Sequence, residues 1–161
     1  LFTDMDQSTP IDQLALLLPL FDQGYGVAIG SRGMERQNFP LYRRIGSSAF
    51  RAFRRAFLLR RISDTQCGFK AMRREAALEL FPLLEAIRKP ARVSGWKVTA
   101  FDVELLFLAE RAGYRIGEVR VSWANRDVST GKRKSYWAES KEMAEQILRI
   151  KLNEWRGEYD K

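Results

Sequence analysis

The chain has 161 residues, of which 45% are hydrophobic and 30% charged, a composition that indicates one globular domain and excludes the disordered class. It contains no histidine, which excludes imidazole as a general base or metal ligand and leaves chemistry to carboxylates, cations and hard metal ions. The net charge of +8 indicates a polyanionic partner, namely nucleic acid, an anionic membrane or phosphorylated substrates, unless the basic side chains merely form a solvated face.

The N-terminal segment predicts a strand, a loop and a helix. Residues 1–3 have the character of the end of a buried strand, so we expect that an N-terminal portion precedes them. Asp4 and Asp6 follow in a loop, and a helix is predicted from Pro10 to about Asp22, ending near Gly24. Residues 26–30 form a short apolar run typical of a strand. The longest apolar run, residues 14–21, is shorter than the ~20 residues of a membrane span.

The middle of the chain is rich in arginine. Residues 32–61 hold nine arginines and one acid, Glu35. Apolar residues recur at helical spacing over residues 40–59, which predicts a helix with arginines on its other faces. The phenylalanines of this segment widen the apolar stripe, so the helix is also a candidate for contact with a membrane surface.

The second half alternates strands and helices. We predict a loop leading into a strand over residues 64–72, helices over 74–84, 101–112 and 135–155, and a surface loop over 88–98. The apolar residues of 114–123 alternate along the chain but change phase within this segment, which predicts a strand with a bulge near Gly117. The pattern indicates a layered α/β fold in which ligands bind at the carboxyl ends of the strands.

Three acidic segments could carry chemistry. Two aspartates spaced as Asp4 and Asp6 after a strand can hold Mg²⁺ or Mn²⁺ against a diphosphate, although a solvated turn has the same pattern. Residues 64–70 combine an acid, a glycine and Lys70, with a turn into an edge strand as the alternative. Asp102 and Glu104 open a helix, where acids also simply favour the helix dipole.

Taken in order, these segments resemble the dolichyl-phosphate β-glucosyltransferases of glycosyltransferase family 2, relatives of the dolichol-phosphate mannose synthases. The resemblance spans residues 1 to about 155. The blocks that carry it are Phe2-Thr3-Asp4-Met5-Asp6, Thr9-Pro10, Ile29-Gly30-Ser31-Arg32, Asp64-Thr65-Gln66-Cys67-Gly68-Phe69-Lys70, Phe101-Asp102-Val103-Glu104-Leu105-Leu106 and Glu118-Val119 with Val121 and Trp123.

The resemblance implies a fold and a set of site residues. The fold would be a GT-A-like layered sheet with flanking helices, and residues 1–161 would be the C-terminal portion of a catalytic domain whose nucleotide-binding part is missing. The implied metal ligands are Asp4 and Asp6, with Ser8 as a weaker candidate because its residue type differs from the family's. The implied acceptor-phosphate residues are Arg32, Arg43, Ser47 and Lys70, and the implied catalytic residues are Asp64, Lys70, Asp102 and Glu104.

The function implied is metal-dependent transfer of a hexose, with glucose from UDP-glucose favoured, to a polyprenyl or dolichyl phosphate with inversion. The protein would act at the cytoplasmic face of a membrane, bound peripherally to an anionic surface through this chain. GDP-mannose as the donor, or a different acceptor for a family 2 enzyme, stays open. A basic nucleic-acid-binding module is disfavoured because no reading motif occurs. A non-catalytic basic fragment is a further alternative.

Overall fold

A computed structural model describes residues 1–4, 7–33, 62–88, 101–124 and 136–160 of the chain. The predicted helix over residues 40–59 lies outside these ranges, as does most of the loop predicted over 88–98. The described elements, in chain order, are α1 (Leu14–Asp22), β1 (Val27–Ser31), β2 (Lys70–Met72), α2 (Arg74–Leu80), α3 (Glu85–Arg88), α4 (Phe101–Arg111), β3 (Ile116–Arg120) and α5 (Tyr136–Trp155), with 3-10 turns at Ile11–Gln13 and Phe81–Leu83.

These bounds confirm the predicted helices and strands within the described residues, apart from shifts at their ends and from residues 1–3. There the expected end of a buried strand is reduced to a β-bridge at Phe2, and Leu1 and Thr3 are exposed. The first helix begins as a 3-10 turn, and the chain leaves it through Gly24, whose φ of 81° suits glycine. Gly113, with a φ of 82°, ends α4 in the same way. Among the described residues, no helix combines the length and the apolar character that crossing a bilayer would require.

The three strands form a mixed sheet in the order β2-β1-β3. β1 is parallel to β3 and antiparallel to β2. On the outer edge of β2, the backbone of Phe2 exchanges hydrogen bonds with Lys70 at 2.9 and 3.1 Å in an antiparallel bridge. Residues 1–3, which we call the N-terminal segment, therefore run parallel to β1. It follows that this segment, β1 and β3 all end at one edge of the sheet, where β2 begins.

The bulge predicted near Gly117 is not observed. β3 pairs with β1 in an unbroken register from Val27 opposite Ile116 to Ser31 opposite Arg120. The alternation changes phase because the sheet is covered on both faces. Ile116 packs against one apolar cluster and Val121 belongs to the other, so side chains of both phases are apolar.

The core consists of two clusters on opposite faces of the sheet. One packs Val27 and Ile29 of β1 against side chains of α2, α4 and α5. The other packs Ala28, Phe69 and Val121 against Leu17 of α1. Alternate residues of β1 therefore face different helical layers. This layered α/β arrangement is compatible with the GT-A-like fold, and it differs from a purely parallel sheet because β2 runs in the opposite direction.

The end of the chain closes over α4 through a buried polar network. The Glu104 carboxylate accepts hydrogen bonds from the Tyr159 hydroxyl at 2.8 Å and from the Glu85 backbone N–H at 3.1 Å. Burial raises the pKa of Glu104 above its ordinary value, while the hydrogen bond from Tyr159 acts in the opposite direction. Burial therefore disfavours the ionised form of Glu104, and the hydrogen bonds from Tyr159 and Glu85 stabilise that form.

Gly30 fills a position with no room for a side chain. A Cβ there would lie 2.9 Å from Cγ2 of Val121 and 3.3 Å from the Phe69 carbonyl oxygen. We therefore expect Gly30→Ala to lower the free energy of unfolding by about 1–3 kcal/mol, because overpacking strains a close-packed sheet face. Urea unfolding would measure it, with Ala112→Ser at an exposed position as the control. Equal unfolding midpoints for the two variants would contradict this packing.

Tyr159→Phe should destabilise the protein more at pH 7 than at pH 4. The folded-state pKa of Glu104 is raised, so its contribution to stability is full below the ordinary pKa of 4.5 and declines as the pH rises through the folded value. Loss of the Tyr159 hydroxyl raises that pKa further. We expect a loss of about 2 kcal/mol at pH 7 and about 1 kcal/mol at pH 4, because a hydrogen bond to a charged acceptor contributes more than one to a neutral acceptor and the neutral form is favoured as the pH falls.

Urea unfolding at both pH values would measure the difference. Tyr114→Phe is the control, because its hydroxyl donates to Glu79 at an exposed position. The control should change stability by less than about 0.5 kcal/mol at either pH. A Tyr159→Phe effect that is the same at pH 4 and pH 7 would be inconsistent with the ionised Glu104 network.

Candidate functional site

Charged side chains converge on the edge of the sheet where the N-terminal segment, β1 and β3 end. Asp4 lies just after the segment that pairs with β2, and Arg32 follows β1 directly. Asp64 lies in the turn that precedes β2, and Trp123 follows β3. Asp102 stands in the first turn of α4. The strand ends therefore bring side chains that are distant in the sequence to one place.

Arg32 and Asp64 form a two-pronged ion pair at this edge. Nε and Nη2 of Arg32 each donate to a different carboxylate oxygen of Asp64 at 2.8 Å, and the Arg32 backbone N–H donates at 3.1 Å. The hydrogen bond to Asp64 raises the pKa of Arg32 above its ordinary value. The indole ring of Trp123 lies against the guanidinium, with its centroid 5.6 Å from Cζ. The guanidinium is thus fixed in direction and keeps its charge.

A second carboxylate holds the turn that carries Asp64. Glu118 of β3 accepts hydrogen bonds from the backbone N–H groups of Ser63 and Asp64, at 2.9 and 2.8 Å. It also accepts one from the Ser63 hydroxyl at 2.7 Å. The turn before β2 is therefore fastened to the opposite side of β1 through a side chain of β3.

Lys70 is buried beneath this edge, with a side chain that is 0% exposed. Its ammonium donates to the Cys67 carbonyl oxygen and lies 3.2 Å from Oδ1 of Asp102. The ring of Phe2 lies 5.3 Å away and packs against Phe101. The ammonium therefore contacts groups of the protein, an arrangement that differs from the solvent-facing cation expected for binding an acceptor phosphate.

Asp102 experiences two opposing influences. Burial raises its pKa above the ordinary value, and the Coulombic attraction of Lys70 lowers it. The burial effect is the larger. Although Oδ1 lies at ion-pair distance from Lys70, it has no well-aligned hydrogen-bond donor among the described residues. A buried carboxylate oxygen of this kind has capacity for a further polar partner.

Asp4 lies against Gly68. A Cβ on Gly68 would overlap the carboxylate of Asp4, so the absence of a side chain at residue 68 is what admits that carboxylate. The negative charge of Asp4 raises the pKa values of both Arg32 and Asp102, which indicates that the three groups share one electrostatic environment. Asp4 is itself exposed.

One of the two predicted metal ligands, Asp4, is among the described residues. Asp4 supplies a hard oxygen ligand beside a glycine, which suits Mg²⁺ or Mn²⁺. Asp6 lies outside the described residues, and among the residues described no group of three or more potential ligands is assembled. Ser8 is buried, and its carbonyl oxygen accepts from the Ala124 N–H at 2.8 Å, which ties the loop after Asp4 to the residues after β3.

Of the remaining predicted residues, two are not described and one is placed elsewhere. Arg43 and Ser47 lie outside the described residues. Glu104 is described, but its expected grouping with Asp102 is not observed, because residues two apart on a helix point about 200° away from each other. The carboxylate of Glu104 instead belongs to the network with Tyr159 and Glu85.

Sequence reasoning assigned no role to Glu118 or to the contact between Trp123 and Arg32. Glu118 is a lone acid within a predicted strand, between Gly117 and Val119. A carboxylate within a strand needs hydrogen-bond donors close by, so the sequence could have indicated that Glu118 binds another segment of the chain. Its donors lie 54 and 55 residues away in the chain, so spacing could not identify them.

Comparisons with known proteins identify relatives of this chain. A dolichyl-phosphate β-glucosyltransferase of Drosophila melanogaster is 37% identical over 139 residues, which cover 80% of this chain and 40% of that protein. The corresponding enzyme of Dictyostelium discoideum is 35% identical, covering 79% of this chain and 36% of the relative. A polyprenol monophosphomannose synthase of Mycolicibacterium smegmatis is 31% identical, covering 80% and 46%.

The chain spans less than half the length of these relatives. No family profile matches it. The alignments with the two dolichyl-phosphate β-glucosyltransferases nevertheless cover 79% and 80% of this chain. The chain therefore belongs to glycosyltransferase family 2, together with the dolichyl-phosphate β-glucosyltransferases and the polyprenol monophosphomannose synthases.

Proposed function

We propose that the protein transfers a hexose from a nucleotide diphosphate sugar to a polyprenyl phosphate. The observation that carries the proposal is the presence of Asp4 and Arg32 at one edge of the sheet, in a shared electrostatic environment. Such a reaction must bring together a diphosphate and a phosphate that repel each other. A carboxylate able to hold a divalent cation and a fixed guanidinium would offset that repulsion, one for each anion.

The acceptor fits a chain without histidine. A phosphate monoester has a second pKa of about 6, so it is largely dianionic at neutral pH and is already a nucleophile. Its oxygen would attack the anomeric carbon as the bond to the nucleotide diphosphate breaks, and the pair of electrons leaves with the diphosphate. A single displacement of this kind inverts the anomeric carbon. Arg32 would orient the acceptor phosphate, with Arg43 and Ser47 as the further predicted contacts.

Asp4 and Asp6 would hold Mg²⁺ or Mn²⁺ beside the donor. When bound, the ion supplies charge neutralisation for the departing diphosphate. Gly68 leaves space for the carboxylate of Asp4. Ser8 is a weaker candidate for this shell, because its residue type differs from the family's and because it is buried.

The buried charges have supporting roles in this proposal. Asp64 orients Arg32, and Lys70 holds the Cys67 carbonyl and Asp102. The Asp102 side chain is 21% exposed although its Oδ1 is buried beside Lys70, so its other carboxylate oxygen could accept a hydrogen bond from the sugar or the acceptor. Lys70 thus acts through the groups that it holds, and direct contact with the acceptor phosphate would require its ammonium to leave them.

Glucose is the proposed sugar, with UDP-glucose as donor, because several relatives are dolichyl-phosphate β-glucosyltransferases. GDP-mannose is the second candidate, because one relative is a polyprenol monophosphomannose synthase. A lipid-linked acceptor also implies work at a membrane. The arginines of residues 32–61 would contact its anionic cytoplasmic face, and this part of the proposal rests on charge alone.

A transfer assay tests the proposal. The full-length protein would be incubated with Mg²⁺ or Mn²⁺, a short polyprenyl phosphate, and either UDP-glucose or GDP-mannose. We expect a lipid-linked hexose, and we expect Asp4→Asn to lower kcat/KM by about 100-fold, because a metal ligand contributes several kcal/mol. Asp12→Asn, at an exposed aspartate of the first 3-10 turn, is the control.

Two results would contradict the proposal. Failure to form a lipid-linked sugar with either donor would remove the transferase function. Full activity of Asp4→Asn would remove the metal site from the mechanism while leaving transfer intact. Chelation of divalent ions should match the loss seen in Asp4→Asn, and little further loss is expected when that variant is itself chelated.

A further inference from the structure

We infer that Glu118 is a positioning residue that sets the direction of the Arg32 guanidinium through the turn at residues 63–64. The inference rests on the proposed function, in which Arg32 faces the acceptor phosphate. Glu118 lies on β3, and Arg32 follows β1. The link between them is the turn at residues 63–64, which bonds to both side chains.

The first step is the grip of Glu118 on the turn. Its two oxygens accept from three donors, namely both backbone N–H groups and the Ser63 hydroxyl, at 2.7 to 2.9 Å. A carboxylate suits this position because all three partners donate and an ionised carboxylate only accepts. Glutamine would turn one oxygen into a donor, which would face an N–H group and lose at least one of the bonds.

The second step leads from the turn to Arg32. The backbone N–H of Asp64 is held by Glu118, and the side chain of the same residue accepts three hydrogen bonds from Arg32. Asp64 is thus fixed on its backbone and on its side chain. A shift of the turn would move both carboxylate oxygens, and the guanidinium would have to follow.

The third step concerns the other contacts of the guanidinium. The ring of Trp123, three residues after the end of β3, lies 5.6 Å from Cζ of Arg32, so the guanidinium also contacts the segment that follows β3. The hydrogen bonds to Asp64 use Nε and Nη2 of Arg32. Nη1 has no partner among the described residues and offers two N–H groups, as a phosphate ligand requires. Glu118 therefore affects where these donors point, although it touches neither substrate.

A double-mutant cycle in the full-length protein tests the inference. Glu118→Gln should raise the KM for polyprenyl phosphate about tenfold, because weaker hydrogen bonds to the turn let Asp64, and with it the Arg32 guanidinium, move. The KM for the nucleotide sugar should stay within about twofold. In an Arg32→Ala background, the same substitution should add less than about twofold, because residues that act as a unit are non-additive.

Hydrogen exchange supplies a readout that is independent of activity. The backbone amides of Ser63 and Asp64 should exchange about tenfold faster in Glu118→Gln than in the wild type. Ser63→Ala removes only one of the three donors, so it should change the same quantities in the same direction by less. This milder variant keeps the test available if Glu118→Gln does not fold. Glu110→Gln, at an exposed acid of α4, is the matched control.

The outcomes separate the inference from the function on which it rests. A Glu118→Gln protein that matches Glu110→Gln in acceptor KM and amide exchange refutes the positioning role. Equal damage from Glu118→Gln in the wild-type and Arg32→Ala backgrounds also refutes it, since Glu118 would then act on the fold. A wild-type protein that forms no lipid-linked sugar refutes the proposed function, and the inference with it.

Discussion

The ammonium of Lys70 is shielded from solvent at the edge of the sheet, and the surrounding groups must compensate for its charge. An unpaired buried charge is strongly destabilising, so the Cys67 carbonyl and Asp102 have to stay beside it. These two contacts join the turn before β2 to the first turn of α4. The position of Gly68 follows from that of Cys67, and with it the space that the Asp4 carboxylate occupies. One buried cation thereby sets the geometry of a largely acidic edge.

A second ion pair organises the other side of the same edge. The pair of Arg32 and Asp64 connects the end of β1 with the turn before β2, and Glu118 connects that turn with β3. The two ion pairs at this edge, Arg32 with Asp64 and Lys70 with Asp102, are thus held by different elements of the fold. Such an arrangement suits a reaction between two anions, because Arg32 keeps N–H donors that Asp64 does not use and the Asp4 carboxylate is exposed.

Sequence reasoning identified the fold class and much of this edge, because strand ends, glycines and acids leave local signals. It placed Asp4, Arg32 and Asp102 near strand ends or a helix start, as the structure does. The predictions were wrong where a residue's surroundings are supplied by distant parts of the chain. The phase change around Gly117 was interpreted as a bulge, since one strand does not reveal that both faces of its sheet are covered. Glu104 was grouped with Asp102, although helical geometry turns it toward Tyr159.

The most direct test of the constraint at Lys70 is the unfolding of Lys70→Met in urea. We expect its free energy of unfolding to fall by about 3–5 kcal/mol, because Asp102 would be left in a partly buried site without its cation. Adding Asp102→Asn should recover part of the loss. Lys141→Met, at a lysine whose side chain is 79% exposed, is the control. If Lys70→Met and Lys141→Met unfold at the same urea concentration, the buried cation does not organise this edge.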